Sequence, residues 1–253
     1  MWLFNSSIGR KVVMSVTGIS LILFLTFHCC MNLVALFSGD AYNMICALLG
    51  ANWYAVAATM GLAGLAVAHI VYAFILTAQN RKARGENRYE VATTVNAGKV
   101  EWASKNMLVL GLIICLGLLL HLFNFWYNMM FAELFDIQVA HDPADGFEFI
   151  KDVFHCPVYV GLYLVWLVAL WFHLTHGFWS ALQTLGLSGK VWFCRWKVFG
   201  IFYTTVLILG FIAVVLAFYF GIAPSLDSCC GAGADCCKDA VDCCKDAAAA
   251  CGH

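Results

Sequence analysis

The chain is 253 residues long, 63% of them hydrophobic and 11% charged, with a mean hydropathy of +0.84 and a formal net charge of −1. That composition excludes a water-soluble globular domain, and no nucleic-acid partner is expected. The chain is read as a polytopic membrane protein whose solvent is the lipid bilayer.

Five apolar runs, at about residues 12–37, 53–78, 106–131, 157–183 and 198–222, each approach the roughly 20 residues that a spanning helix needs. Backbone polar groups have no water to bond in lipid, so each run is expected to be helical. The first run is too long for the apolar part of a signal peptide, and no small-residue cleavage site interrupts it; it is expected to stay as a helix. Residues 1–224 then form a five-helix membrane domain, and 225–253 a cysteine-rich tail.

Basic residues give the expected orientation. Arg10, Lys11, Arg81, Lys82, Arg84, Arg88, Lys99, Lys105, Lys190, Arg195 and Lys197 fall on one side of a five-helix topology, against Lys151, Lys238 and Lys245 on the other. The positive-inside rule places the N-terminus in the cytoplasm and the C-terminus outside, with the acidic loop Glu133 to Asp152.

Histidines recur along these runs at alternating depth. His28 lies about 16 residues, or about 24 Å, from the inner end of the first run, hence in the outer half of a core about 30 Å thick. His69 lies about 16 residues in from the outer start of the second run, and so in the inner half. His121 returns to the outer half, about 15 residues along the third run. His176, with His173 one turn before it, lies in the inner half of the fourth.

An imidazole at that depth is costly unless it is coordinated or hydrogen-bonded. A single such histidine is ordinarily bonded to a neighbouring helix. Four of them, two per layer and one per helix, suit two stacked haems, each iron taking one imidazole from each of two facing helices. The expected fold class is therefore an all-α membrane protein, five transmembrane helices in a bundle enclosing two stacked b haems. His28 pairs with His121 at the outer haem and His69 with His176 at the inner one, His173 being the competitor for His176. Gly61, Gly64, Gly111 and Gly117 are expected to open room for a flat macrocycle.

The same residues carry a family resemblance. Ser6-Ser7-Ile8-Gly9-Arg10-Lys11-Val12-Val13-Met14 with Thr17-Gly18, then His28 and Asn32-Leu33, resembles the opening of the dihaem cytochrome b subunits of succinate:quinone and quinol:fumarate oxidoreductases. His69 with Gln79-Asn80-Arg81-Lys82-Ala83-Arg84 and Tyr89, and Trp102-Ala103-Ser104 with Met107, are similar to that family's second helix, its loop and the start of its third helix. The most specific match is His173-Leu174-Thr175-His176-Gly177-Phe178-Trp179-Ser180-Ala181-Leu182-Gln183-Thr184-Leu185-Gly186, and the resemblance runs from residue 5 to about 222.

The resemblance implies His28, His69, His121 and His176 as haem ligands and leaves His173 beside the site. Where some members place a proton-carrying glutamate, this chain has Leu174, which puts that route in doubt. It further implies a membrane anchor for a flavoprotein and an iron-sulfur subunit in a bacterial inner membrane, docked on the basic stretch Arg81 to Arg88 with Lys99 and Lys105. A dimer of the whole complex is left open.

No iron-sulfur cysteine spacing or nucleotide fingerprint occurs here, so dicarboxylate chemistry is expected on the partners. This subunit would handle menaquinone or menaquinol and electrons, in quinol:fumarate reductase ahead of succinate dehydrogenase. A non-redox transporter with a histidine proton relay is the reading from another class. The quinone is expected beside the outer haem, with Asn32, Asn124, Trp126 and Asn128 as its neighbours. His141 is expected to be a solvated loop residue, and His155 to lie near the outer haem edge or a quinone.

The tail repeats paired cysteines, Cys229-Cys230, Cys236-Cys237 and Cys243-Cys244, before Cys251. Outside the cell this spacing favours disulfides over a soft metal site, with one of the seven thiols left over. Cys29, Cys30, Cys46, Cys115, Cys156 and Cys194 are expected to be packing residues.

Overall fold

The computed structural model describes residues 6–84 and 102–224. The cysteine-rich tail, Arg88, Tyr89 and Lys99 lie outside the described residues. The chain forms α1 (Ser7–Val34), α2 (Gly39–Leu48), α3 (Trp53–Arg84) and α4 (Trp102–His121). The fourth continues without a break through a π-helical segment (Leu122–Phe131) into α5 (Ala132–Phe135). Then come α6 (Gly146–His155), α7 (Pro157–Thr184) and α8 (Lys190–Tyr219). Five stretches are long and apolar enough to cross a membrane, Ser7–Val34, Trp53–Ala83, Trp102–Phe135, Pro157–Thr184 and Val191–Tyr219. The chain is thus an all-helical, multi-pass membrane protein, with no strand among the described residues.

Local chemistry sets the helix ends. Ser6 caps α1, its Oγ accepting from the Gly9 N–H at 2.9 Å, so the helix starts ahead of the apolar run. Pro157 occupies the first turn of α7, where a missing N–H costs nothing. The far end of α7 closes on Gly186 at φ 79°, with Leu187 N–H bonded to Leu182 O at 3.0 Å and Gly186 N–H to Gln183 O at 3.1 Å. Gly186 can adopt this left-handed turn because it has no Cβ. Inside the spans, Ser15, Thr17, Thr26, Thr184, Thr204 and Thr205 return their hydroxyl protons to carbonyls one turn back, as polar side chains in lipid must.

Helix α1 packs on α3, α7 and α8, and α7 packs on α4 and α8. The order α3–α1–α7–α4 follows, with α8 along the α1/α7 seam. The core at that seam includes Ile22, Cys29, Tyr163, Leu167, Leu170, Leu174, Leu207 and Val214, all buried. Hydrogen bonds cross it from Trp171 Nε1 to Thr205 Oγ1 at 2.9 Å and between Thr26 and Tyr203. The most apolar stretch of α3 has no buried residue, so lipid covers what the bundle does not.

One end of the bundle is capped by α2 and α6, neither of which corresponds to an apolar run. Phe147, Phe149, Ile150 and Phe154 are the buried face of α6, and Phe147 meets Phe218 of α8 at 4.9 Å between ring centroids. Asn43 joins the two helices by accepting from Phe147 N–H at 2.9 Å and donating to Asp145. Burial pushes the Cys46 thiol there up to about 11, so it stays protonated and packs as a small apolar group. Of the expected packing cysteines, Cys30 and Cys194 are instead exposed.

Gly117 does not make room for a macrocycle. A Cβ there would lie 2.1 Å from Trp166 Cδ1, so the glycine seats an indole whose Nε1 donates to Ile114 O at 3.1 Å. Gly117→Ala is expected to cost about 1–3 kcal/mol by overpacking, measured as a lowered midpoint of thermal unfolding in detergent. An unchanged midpoint would mean that Trp166 moves aside freely. Gly61, Gly64 and Gly111 would meet nothing within 4 Å and hold no close helix contact.

Candidate functional site: two facing histidine pairs

Four imidazoles meet in two pairs. His28 of α1 faces His121, the last residue of α4, with ring centroids 5.7 Å apart and planes at 89°. His69 of α3 faces His173 of α7 at 6.3 Å and 68°. In the order α3–α1–α7–α4, each pair joins helices that are not neighbours, so the rings cross the middle of the bundle.

Packing fixes the first pair. His28 stacks on Phe24 at 5.5 Å and lies 5.9 Å from Phe211, while His121 lies 5.1 Å from Phe125, 5.6 Å from Trp166 and 6.2 Å from Tyr163. Aromatic contacts of this kind contribute about 0.5–1.5 kcal/mol each and limit ring rotation. The π-helical segment starts one residue after His121. Asn128 Nδ2 donates to Phe123 O at 3.1 Å and to Asn124 O at 3.0 Å, bonding carbonyls that the wider turn leaves less well served.

The second pair is set by α1, which supplies neither of its rings. Thr17 Oγ1 lies 3.2 Å from His69 Nδ1, and a Cβ on Gly18 would sit 3.3 Å from His69 Cε1. Sequence reasoning assigned these two residues no role. The signal for it was their place about three turns into α1, at the same expected depth as His69.

The centroid spacing of each pair matches that of two imidazoles sharing a metal. Metal–imidazole bonds are about 2.0–2.1 Å, so two imidazoles on opposite faces of one iron place their ring centroids about 6 Å apart. Among the described residues, the buried side-chain nitrogens and oxygens without a hydrogen-bond partner are His121 Nδ1, His173 Nδ1 and Trp126 Nε1. Buried polar atoms are rarely left so. One imidazole of each pair therefore carries an orphaned nitrogen in the middle of the bundle.

The ring brought opposite His69 is His173, whereas His176 packs edge-on against Trp179 at 4.9 Å. Lys197 Nζ lies 5.5 Å from the Trp179 ring centroid. Trp102, Trp171, Phe172, Thr175, Trp179 and Lys197 border a cavity of about 220 Å³ between α4, α7 and α8.

Of the expected quinone neighbours, Asn32 and Asn124 are engaged. Asn32 Nδ2 donates to His28 O at 2.8 Å and its Oδ1 accepts from Tyr42 at 3.4 Å; Asn124 Nδ2 donates to Tyr163 Oη at 3.3 Å. Trp126 has the unpartnered donor. Leu174 is 7% exposed, within the apolar core. His141 is bonded to Asp152 at 2.6 Å, and His155 is exposed at the end of α6. The described basic residues Arg81 and Lys82 are exposed near the end of α3, and Lys105 is exposed in the first turn of α4. Comparison with protein-family models, curated proteins and solved structures finds no match to this chain.

Proposed function

We propose that the chain is the membrane-anchor electron-transfer subunit of a quinol:fumarate reductase, holding two b haems through His28 with His121 and His69 with His173. The same subunit serves succinate dehydrogenase when the half-reactions run in reverse. The observation that carries this reading is the pair of facing imidazole couples, each at the centroid spacing that two imidazole ligands of one iron would have. His28 with His121 and His69 with His173 would hold the haems, which when bound would supply one-electron transfer. The chain's own part is to hold neutral imidazoles in fixed orientation, to keep water from them with aromatic side chains, and to offer quinol the unpartnered Trp126 Nε1–H.

Flavoprotein and iron-sulfur partners on the cytoplasmic face, in a bacterial inner membrane with the C-terminus outside, complete the proposal. Arg81, Lys82 and Lys105 are the exposed, described part of the docking surface it requires. A reduced-minus-oxidised spectrum with pyridine haemochrome quantitation tests it. Two low-spin b haems per chain are expected, and a chain purified without haem would turn the reading to a histidine proton relay.

Menaquinol is placed at the end of the bundle that α2 and α6 cap, on Trp126. Removing a donor to a quinone oxygen costs about 1 kcal/mol, so Trp126→Phe should raise the KM for a menaquinol analogue about fivefold and leave the haem spectrum unchanged. An unchanged KM would move the quinone elsewhere, and the cavity between Trp102 and Lys197 is then the next position to test.

A further inference from the structure

We propose that Thr17 is the positioning residue that fixes the tautomer of His69, making Nε2 its ligating atom; the assignment rests on the haem reading of the His69–His173 pair. Thr17 is 5% exposed, and its Oγ1 has three polar neighbours: Val13 O at 2.9 Å, Met14 O at 3.1 Å and His69 Nδ1 at 3.2 Å. The hydroxyl has one proton, and both carbonyls can only accept. We assign that proton to the backbone, as for Thr26 and Thr204 in the same bundle; Oγ1 then faces the imidazole with lone pairs alone, the Met14 carbonyl beside it is a second acceptor, and Nδ1 is the protonated nitrogen.

A neutral ring protonated at Nδ1 keeps its lone pair on Nε2, the form an iron ligand requires. Gly18 lets this happen at close range. With a Cβ at 3.3 Å from Cε1 and 3.7 Å from Nδ1, an alanine would push the ring off the α1 surface by a few tenths of an ångström. Helix α1 thus ligates one haem with His28 and orients a ligand of the other with Thr17, which couples the two sites through one rigid element.

Two measurements on the full-length protein test this. In a potentiometric titration, Thr17→Val should shift one of the two haem midpoint potentials upward and leave the other in place. The lost acceptor lowers the basicity of His69 and with it the preference for ferric iron. Thr17→Ser, which keeps the hydroxyl, should restore the original value, and Gly18→Ala should disturb the same haem as Thr17→Val. Unchanged potentials in Thr17→Val would overturn the proposal.

The second measurement is 15N NMR of histidine-labelled wild-type protein stripped of haem, with the His69 signal assigned by its absence in His69→Gln. An Nδ1-protonated signal is expected, and an Nε2-protonated one would overturn the proposal even if Thr17→Val failed to fold. A wild-type chain that never holds haem would defeat the haem reading, while the NMR result would still decide the Thr17–His69 hydrogen bond.

Discussion

On the proposed two-haem reading, replacing His28 or His121 with alanine is expected to halve the haem content, removing the haem assigned to α1 and α4 and sparing the one assigned to α3 and α7. The expectation follows from the pairing. The 5.7 Å pair shares no ring with the 6.3 Å pair, and the aromatic rings around His28 and His121 belong to the first pair alone. An iron left with a single imidazole binds more weakly and becomes high-spin, so the low-spin signal should fall from two haems to one per chain. Quinol-driven electron transfer should fall to a few per cent or less, because a two-haem path has lost a member. A ligand present at 1,000 times its dissociation constant stabilises a fold by about 4 kcal/mol, and these variants should unfold correspondingly earlier. Selective loss of the other haem would show that the pairs are exchanged. Loss of both from each single variant would mean one cooperative site in place of two.

The five spans could be read from the sequence because burial in lipid demands long, nearly uncharged runs, and few other structures produce them. Pairing of His28 with His121 was legible for a related reason. Depth along a straight helix advances about 1.5 Å per residue, so a difference of half a bilayer separates histidines into layers without any knowledge of packing.

What depth alone could not resolve was rotation. His173 and His176 are three residues apart, about 4.5 Å in depth and about 60° in azimuth, close enough that both fall on one face of α7. The rotation of α7 about its axis, together with the position of α3 on α1 where Thr17 and Gly18 meet His69, selects between them. The capping helices were missed because neither α2 nor α6 carries a membrane-length run. Their signals were Ser38, whose side chain caps α2, and the spacing of Phe147, Ile150 and Phe154 on one face of α6. Gly117 was misread because a glycine beside a buried histidine looks alike whether it admits a cofactor or an indole.

On the same reading, His173→Gly is expected to empty the second proposed haem site, and His176→Gly to leave it filled. The sequence favoured His176 because it precedes Gly177 in the most specific stretch, but three observations favour His173. Its ring is the one opposite His69, its Nδ1 is an orphaned buried nitrogen, and His176 is already packed edge-on against Trp179. Glycine at 173 leaves a space the size of the lost ring on a helix whose neighbouring positions Phe172 and Leu174 still pack. Exogenous imidazole should therefore enter and restore the low-spin spectrum, which a merely destabilised bundle would not allow. The same addition should do nothing for His176→Gly, whose haem content should stay at two, although loss of the Trp179 contact should change quinol turnover if the neighbouring cavity matters. The decisive comparison is haem-to-protein ratio in the two variants, purified side by side and measured with and without imidazole. One haem in His176→Gly with two in His173→Gly would return the ligand to His176, and with it require α7 to turn by about 60° from the orientation described here.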